Sequence, residues 1–514
     1  MSTAAPARGT ASWWKGHAAF LLMVGMWLAW TAGLRPLTAP DEGRYAGVAR
    51  AMLQSGDWLV PRLDGLPFFH KPPLFYWLTA GALSVFGIHE WAGRVAPWAG
   101  ACLMAASCLL FGRRWGGERF GDGWLLLLVT LPLVFVSAQY ANLDMLVAGC
   151  ITASILAFAH ACLLDPDDRA RRRALLAGWA CVALGVLAKG LIGAVIPAMV
   201  LGLWLLATWQ PMQILRLLWW PGLLLFLLLA GPWFLAMQQR FPDFAHYFFV
   251  VQHFSRYTQA GFNNAQPAWF FPAVLLLLGL PWTAWLATRG PAGDARQRSI
   301  RLLMWIWLAA VVLFFTMPRS KLVGYVLPAV PPLAWLLAAR WDMRRDGPGL
   351  AGRLARLTAP ASALLCVAAV VAFAWNPHHS AREAARVVAA RPGQPVAFLH
   401  HFYFDVPLYA HLSQPVAVID HWDDPRLTQG DNWRRELVDA AAFAPATGRA
   451  LLLLPEVLQR PNCPGARSWV LGTPDMDKRY PLLATARRTD AGKDASVWEV
   501  SDWSPRCGGT PTRN

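Results

Sequence analysis

The chain has 514 residues, of which 56% are hydrophobic, only 15% are charged and 29 are Trp. A soluble globular domain carries about 25% charged residues, so this composition excludes an ordinary water-soluble fold. The net charge of +16 would suit nucleic acid. However, the basic residues cluster in loops between apolar stretches, where the positive-inside bias of membrane proteins accounts for them, and no nucleic-acid partner is expected.

Apolar runs of roughly 17–25 residues, each able to cross about 30 Å of hydrocarbon, recur along the chain. Eleven spans are predicted, near 18–37, 91–112, 122–137, 142–163, 173–188, 190–208, 216–238, 269–287, 299–316, 322–340 and 357–375. The first lacks a small-residue cleavage site before the acids that follow it, and reads as a retained helix. With a cytoplasmic N-terminus, the inside loops collect Arg113, Arg114 and Arg119, then Arg169 to Arg173, Arg216, Arg289 to Arg301 and Arg340 to Arg356. The longest outside insert, 38–90, has only Arg44, Arg50, Arg62 and Lys71. The stretch 174–209 is long for one helix and short for two. A hairpin at Lys189-Gly190 is expected, because a single span would turn every later basic loop outward.

The insert opens with "DEGRYAGVARAMLQSGDWLVPRLDGLPFFHKPPLFYW". After Pro40, the residues Tyr45, Val48, Ala49, Met52 and Leu53 follow helical spacing, and Gly56 is a natural stop. A second helix is expected after Pro73. An extended loop with Pro61, Pro67, Pro72 and Pro73 joins them. Both helices are expected to lie on the membrane surface.

Beyond Trp375 the apolar runs shorten and become β-rich: "PVAFLHHFY", "PVAVID", "ALLLLP", "SWVLG", "SVWEV". Residues 376–514 therefore read as a small α/β domain, which eleven spans place outside the cytoplasm. Cys102, Cys108, Cys150, Cys162, Cys181 and Cys366 fall in predicted spans, where cysteine behaves as a small apolar residue. Cys463 and Cys507 are left in Pro/Gly-rich stretches of the outer domain, an oxidising location, and are expected to form a disulfide.

Charged residues at the outer ends of the spans suggest a shared cavity. Asp41, Glu42, Lys71, Asp144, Lys189, Arg256 and Lys321 all fall there, with Tyr325 one turn beyond Lys321. Each has an ordinary explanation by itself: Asp41 as an acid favoured by a helix N-terminus, the lysines as snorkelling anchors. Together they suit transfer from a lipid-linked phosphate. Fixed cations stabilise the departing phosphate, and a carboxylate positions the acceptor or takes its proton. No P-loop or dinucleotide fingerprint is present.

The first insert resembles the first periplasmic loop of the bacterial lipid A aminoarabinose transferases, GT-C glycosyltransferases related to the dolichyl-phosphate-mannose protein mannosyltransferases. D-E-x-R-Y-A, S-G-D-W-x-V-P and K-P-P-L-x-Y-W all match. "NLDM", "LAKG" and "SKLVGYVLPAVPPLA" are similar to later family motifs, in order, although Ala188 stands where the family often has Thr. The resemblance covers roughly the first 340 residues. It implies a multi-pass protein of the bacterial inner membrane that transfers a sugar, with inversion, from undecaprenyl phosphate to lipid A or another envelope glycolipid. By this likeness Asp41 and Asp144 are the catalytic acids and Lys71, Arg256 and Tyr325 bind the donor phosphate. Glu42, Lys189 and Lys321 line the cavity. The family also implies about thirteen spans where eleven are counted here. Some relatives use a divalent metal, for which His400, His401, His411 and His421 are the candidate ligands; their spacing matches no strong motif and suits surface histidines better. Two other readings stand beside this one: a protein acceptor, and a lipid or sugar transporter. Transporters more often show inverted repeats and broken midplane helices, and no repeat is visible.

Overall fold

Among the described residues, eleven α-helices fill the first half of the chain: α1 Thr10–Ala29, α2 Asp41–Ser55, α3 Leu74–Phe86, α4 Val95–Gly116, α5 Glu118–Thr130, α6 Pro132–Ala138, α7 Leu143–Leu163, α8 Arg169–Lys189, α9 Ile192–Ala207, α10 Pro211–Leu217 and α11 Trp220–Arg240. Further long helices follow at Ala295–Thr316, Val330–Asp342 and Gly349–Trp375. The computed structural model describes residues 10–165, 168–255, 264–375, 380–459, 461–492 and 495–507. At the centre, α7 is packed between α4 and α8 and buried on nearly every side, as a helix that is apolar all round should be.

Each expected apolar stretch is helical in whole or in part, but not each is long enough to span. Among the described residues, six helices are long and apolar enough to cross a membrane, or seven if α5 and α6, bent by 66°, form one span. Prolines explain two of the five stretches that fall short. Pro132 takes the first position of α6, which starts a new helix direction there. The stretch 269–287 divides into Phe270–Leu277 and a 3₁₀ turn, Trp282–Ala287, on either side of Pro281. The expected hairpin is present: α8 ends at Lys189 and α9 begins at Ile192, and the two pack together.

The C-terminal part carries a six-stranded sheet in the order β5-β4-β3-β6-β8-β7. Its strands are β3 Val396–Leu399, β4 Ala417–Ile419, β5 Leu452–Leu453, β6 Arg467–Gly472, β7 Arg487–Asp490 and β8 Ser496–Ser501; β1 Arg62–Leu63 and β2 Leu66–Pro67 make a separate hairpin in the insert. Strands β3 to β6 pair in parallel, and β8 and β7 add on antiparallel. Alternate residues of β3 serve two cores. Val396 and Phe398 join the large core of the molecule, while Ala397 and Leu399 pack with Trp498 and Trp503 on the other face. Five strands were legible as apolar runs. β7 was not, because Arg487–Asp490 is exposed along its whole length and carries no apolar signal. Cys463 and Cys507 form the expected disulfide, with Cα atoms 5.7 Å apart.

The insert departs from expectation in one respect. Helices α2 and α3 form where proposed, but α2 is not an open surface helix. Val48, Ala49 and Met52 are buried, Tyr45 packs on Phe75 at 5.7 Å, and the C-terminal unit covers another face. Arg50 donates to the carbonyl of Leu412, and the Leu37 amide donates to the Tyr409 hydroxyl at 2.7 Å. A Cβ on Gly43 would come within 2.8 Å of the Asp405 amide nitrogen, so this contact requires glycine.

Candidate active site

Asp41 and Glu42 open α2, and successive helical residues point about 100° apart. Their environments differ completely. Glu42 is fully buried. It accepts from Arg35 Nη1 at 2.5 Å and Nη2 at 3.1 Å, from Arg94 Nε at 2.8 Å and Nη2 at 3.0 Å, and from the amides of Thr38 and Ala141 at 3.1 and 2.8 Å. Burial opposes its ionised form, yet Arg94 and Arg35 overcome this and hold the carboxyl down at about 2. Glu42 therefore does not line a cavity, as the sequence suggested. It ties the chain after α1, the turn Ala92–Arg94 and the loop before α7 into one unit.

The Asp41 side chain is 22% exposed. One oxygen pairs with Arg44, whose guanidinium also pairs with Glu436 of the Trp433–Ala442 helix. The other accepts from Asn142 Nδ2 at 3.0 Å. Asn142 is the N-cap of α7, its Oδ1 accepting from the Asp144 amide at 3.0 Å. Asp144, 6% exposed, lies in the first turn of α7 and forms an ion pair with Lys189, the last residue of α8. The acid meets the positive end of one helix and the lysine the negative end of the other, so both helix dipoles favour the pair. Lys189 Nζ lies 4.5 Å from the Tyr325 ring centroid. Gly324 permits this approach, since a Cβ there would lie 2.2 Å from Asp144 Oδ2. The result is a continuous polar chain from Glu436 through Arg44, Asp41, Asn142, Asp144 and Lys189 to the face of Tyr325.

The remaining expected residues are placed differently. Lys321 is 4% exposed and donates to the carbonyls of Gln266 at 2.7 Å and Arg319 at 3.5 Å. It ties two segments together and does not join the carboxylates. Lys71 is half-buried in the turn between His70 and Pro72. Arg256 lies outside the described residues. The four histidines do not converge: His400 bonds Asp420 at 2.8 Å and Tyr480 at 2.6 Å and stacks on His421, His401 packs beside Tyr403, and His411 is exposed. Among the described residues no group of three His, Cys, Asp or Glu is arranged to hold a metal ion.

Several functional neighbours escaped the sequence. Asn142 had a local signal, an Asn just before an acidic first turn. Arg44 was read only as one of the few bases of the outside insert. Glu436 lies almost 400 residues from Asp41, and nothing local could connect them.

The profile of the dolichyl-phosphate-mannose-protein mannosyltransferase family matches residues 18–248. The undecaprenyl phosphate-alpha-4-amino-4-deoxy-L-arabinose arabinosyl transferase of Aeromonas salmonicida is 32% identical over 354 residues, 67% of this chain and 64% of that protein. Transferase 1 of the same description from Sodalis glossinidius is 37% identical over 314 residues, 59% of this chain and 55% of that one. The chain thus spans 55% to 64% of the length of these curated relatives. Among solved structures, ArnT from Cupriavidus metallidurans bound to undecaprenyl phosphate superposes with a TM-score of 0.77 at 23% identity, over 98% of this chain and all of that one. The archaeal oligosaccharyltransferase AglB from Archaeoglobus fulgidus, in complex with an inhibitory peptide and a dolichol-phosphate, gives 0.50 at 14% identity, over 80% of this chain and 65% of that one. The fold, which matches that of ArnT, and its long apolar helices define a multi-pass membrane protein. The chain is similar to the dolichyl-phosphate-mannose-protein mannosyltransferase family over residues 18–248 and to the arabinosyl transferases over 59% to 67% of its own length.

Proposed function

We propose that the protein transfers a sugar from undecaprenyl phosphate to lipid A or a similar envelope glycolipid, at the periplasmic face of the bacterial inner membrane. The observation that carries this reading is the polar chain Asp41–Asn142–Asp144–Lys189, which runs from the first residue of α2 in the insert to the end of α8, beside Tyr325. The names of the arabinosyl transferase relatives support the same donor.

In this reading the acceptor hydroxyl attacks the anomeric carbon. The bond from that carbon to the phosphate oxygen breaks, its electron pair leaves with the phosphate, and the hydroxyl proton passes to Asp41. Asn142 and Arg44 fix the Asp41 carboxylate from two sides, so little reorganisation is needed when it accepts the proton. Lys71 and Arg256 neutralise the departing phosphate, with the Tyr325 hydroxyl as a further donor. Lys189 keeps Asp144 paired and so holds the start of α7 in place.

The test is to incubate purified protein with sugar-labelled undecaprenyl phosphate, with and without lipid A. Release of undecaprenyl phosphate only when lipid A is present, with label on the lipid, supports the reading. Label on a Ser/Thr peptide instead would move the protein to the protein mannosyltransferases. Movement of the intact sugar-lipid across vesicles without cleavage would make it a transporter.

A further inference from the structure

Arg44 holds one oxygen of Asp41, and two of the groups that hold Arg44 come from the other end of the chain. Its guanidinium is shared between two acids: Nη2 pairs with Asp41 Oδ1 and Nη1 with Glu436 Oε1. The guanidinium carbon lies 5.3 Å from the Tyr45 ring centroid and 5.4 Å from that of Phe404, within cation–π range of both. Glu436 and Phe404 belong to the C-terminal unit. Phe404 is buried and packs on Phe402 at 4.8 Å. The next residue, Asp405, meets Gly43 so closely that a Cβ there would be 2.8 Å from its amide nitrogen. Glu436 is 8% exposed and lies in the first turn of the Trp433–Ala442 helix. Asn432 caps that helix, accepting from the Arg435 amide at 3.1 Å. Glu436 Oε2 is buried and has no hydrogen-bond partner among the described residues. Keeping a carboxylate buried with so few donors is costly, and the fold keeps this one against Arg44.

We propose that Glu436 is a positioning residue of the transfer reaction, holding Arg44 so that one terminal nitrogen reaches Asp41. The inference rests on the reading of Asp41 as the base that takes the acceptor's proton. An arginine three residues from an aspartate on a helix can reach back to it, and a guanidinium fork left free takes both oxygens of a carboxylate. That arrangement would turn Asp41 away from Asn142 and occupy the lone pairs needed for an incoming proton. With Nη1 tied to Glu436, Nη2 serves Asp41 Oδ1, and Oδ2 stays on Asn142 Nδ2 at 3.0 Å. The third nitrogen, Nε, is buried and has no partner among the described residues. Glu436 thus acts on Asp41 only through Arg44, and the C-terminal unit supplies part of the active site without touching the reacting atoms.

The test uses full-length protein in excess over a trace of sugar-labelled undecaprenyl phosphate, with lipid A as acceptor, so that slow variants still give a single-turnover rate. Glu436→Ala is expected to lower the maximal rate by about tenfold to 10²-fold, the scale of a displaced catalytic group. The protein concentration giving half that rate, which reports donor binding, is expected to stay within about twofold, and the thermal midpoint is followed alongside. Glu436→Gln keeps an acceptor oxygen for Arg44 and is expected to restore most of the rate. In the Asp41→Asn background, Glu436→Ala is expected to cost less than about twofold more, since the residue it acts on is already gone. An unchanged rate in Glu436→Ala overturns the proposal. So does the same fold-loss with and without Asp41, or a lowered midpoint with a normal rate per folded molecule, which makes Glu436 structural. A normal rate in Asp41→Asn removes the base that this inference needs and leaves transfer standing. No transfer by wild type overturns the transfer reading, and this inference with it.

Discussion

Asp144 and Lys189, 45 residues apart in sequence, form an ion pair where the start of α7 meets the end of α8. Both are largely buried, so each is the principal neutralising partner of the other. Removing one partner of a buried pair costs about 3–5 kcal/mol, because the remaining charge is stranded. Lys189→Met is therefore expected to lower the thermal midpoint strongly and to abolish transfer. The double variant Asp144→Asn/Lys189→Met is expected to recover much of the stability but none of the activity. A double-mutant cycle in detergent solution measures the coupling. Strictly additive losses would mean that the two residues act separately.

The adjacent acids of α2 should separate function from folding. Asp41→Asn is expected to leave the thermal midpoint nearly unchanged and to lower kcat by about 10²–10⁴-fold, the usual scale of a lost general base. Glu42→Gln is expected to destabilise the protein by several kcal/mol, of the order seen when a buried ion pair is broken. Because the folded carboxyl of Glu42 is held at about 2, below its ordinary 4.5, its stabilisation is full above pH 4.5. It is lost only as pH falls through that window. Near-normal turnover in Asp41→Asn would remove Asp41 from the chemistry.

Asp64 gives the opposite pH dependence. It sits in the turn of the β1–β2 hairpin, where its Oδ1 accepts from the Val416 amide of the C-terminal unit at 2.8 Å. Its buried Oδ2 has no partner among the described residues. Burial pushes its carboxyl up to about 7, against the Val416 hydrogen bond. The folded state therefore binds more protons than the unfolded state between about pH 4 and 7, and stability falls as pH rises across that range. Asp64→Asn should raise the thermal midpoint more at pH 8 than at pH 5. An equal effect at both values would show that the folded state does not hold the Asp64 proton.

The disulfide closes a loop of 44 residues between Cys463 and Cys507, worth roughly 3–4 kcal/mol in the chain-entropy description. Cys463→Ser is expected to lower the unfolding midpoint of the C-terminal unit, with transfer falling only as that unit loosens from α2. Peptide mass spectrometry under non-reducing conditions should show the cross-linked pair. Two free thiols in protein alkylated inside cells would remove the bond, and with it the support it gives to an outward-facing C-terminal unit.

What the sequence determined is what depends on neighbours along the chain. Apolar runs marked the helices, helical spacing marked α2, and the cost of inverting the later loops marked the α8–α9 hairpin. The two cysteines outside the spans were readable as a pair because the spans accounted for the other six. The tertiary structure decided which faces of those elements meet. Asp41 and Glu42 are adjacent acids in one helical turn, and no local pattern distinguishes a carboxylate that will face Asn142 and open space from one that will be enclosed by Arg35 and Arg94. Arg44 was similarly visible but without a role until Glu436 came to it from the far end of the chain. The C-terminal unit looked separate because its strands are complete in local pattern. In the fold it covers α2, receives the Asp64 side chain at Val416 and supplies the Glu436 carboxylate that pairs with Arg44. Local sequence fixes the period of an element, and so which residues share a face. The partner of that face is chosen by the burial of apolar surface over the whole molecule, summed over contacts hundreds of residues apart.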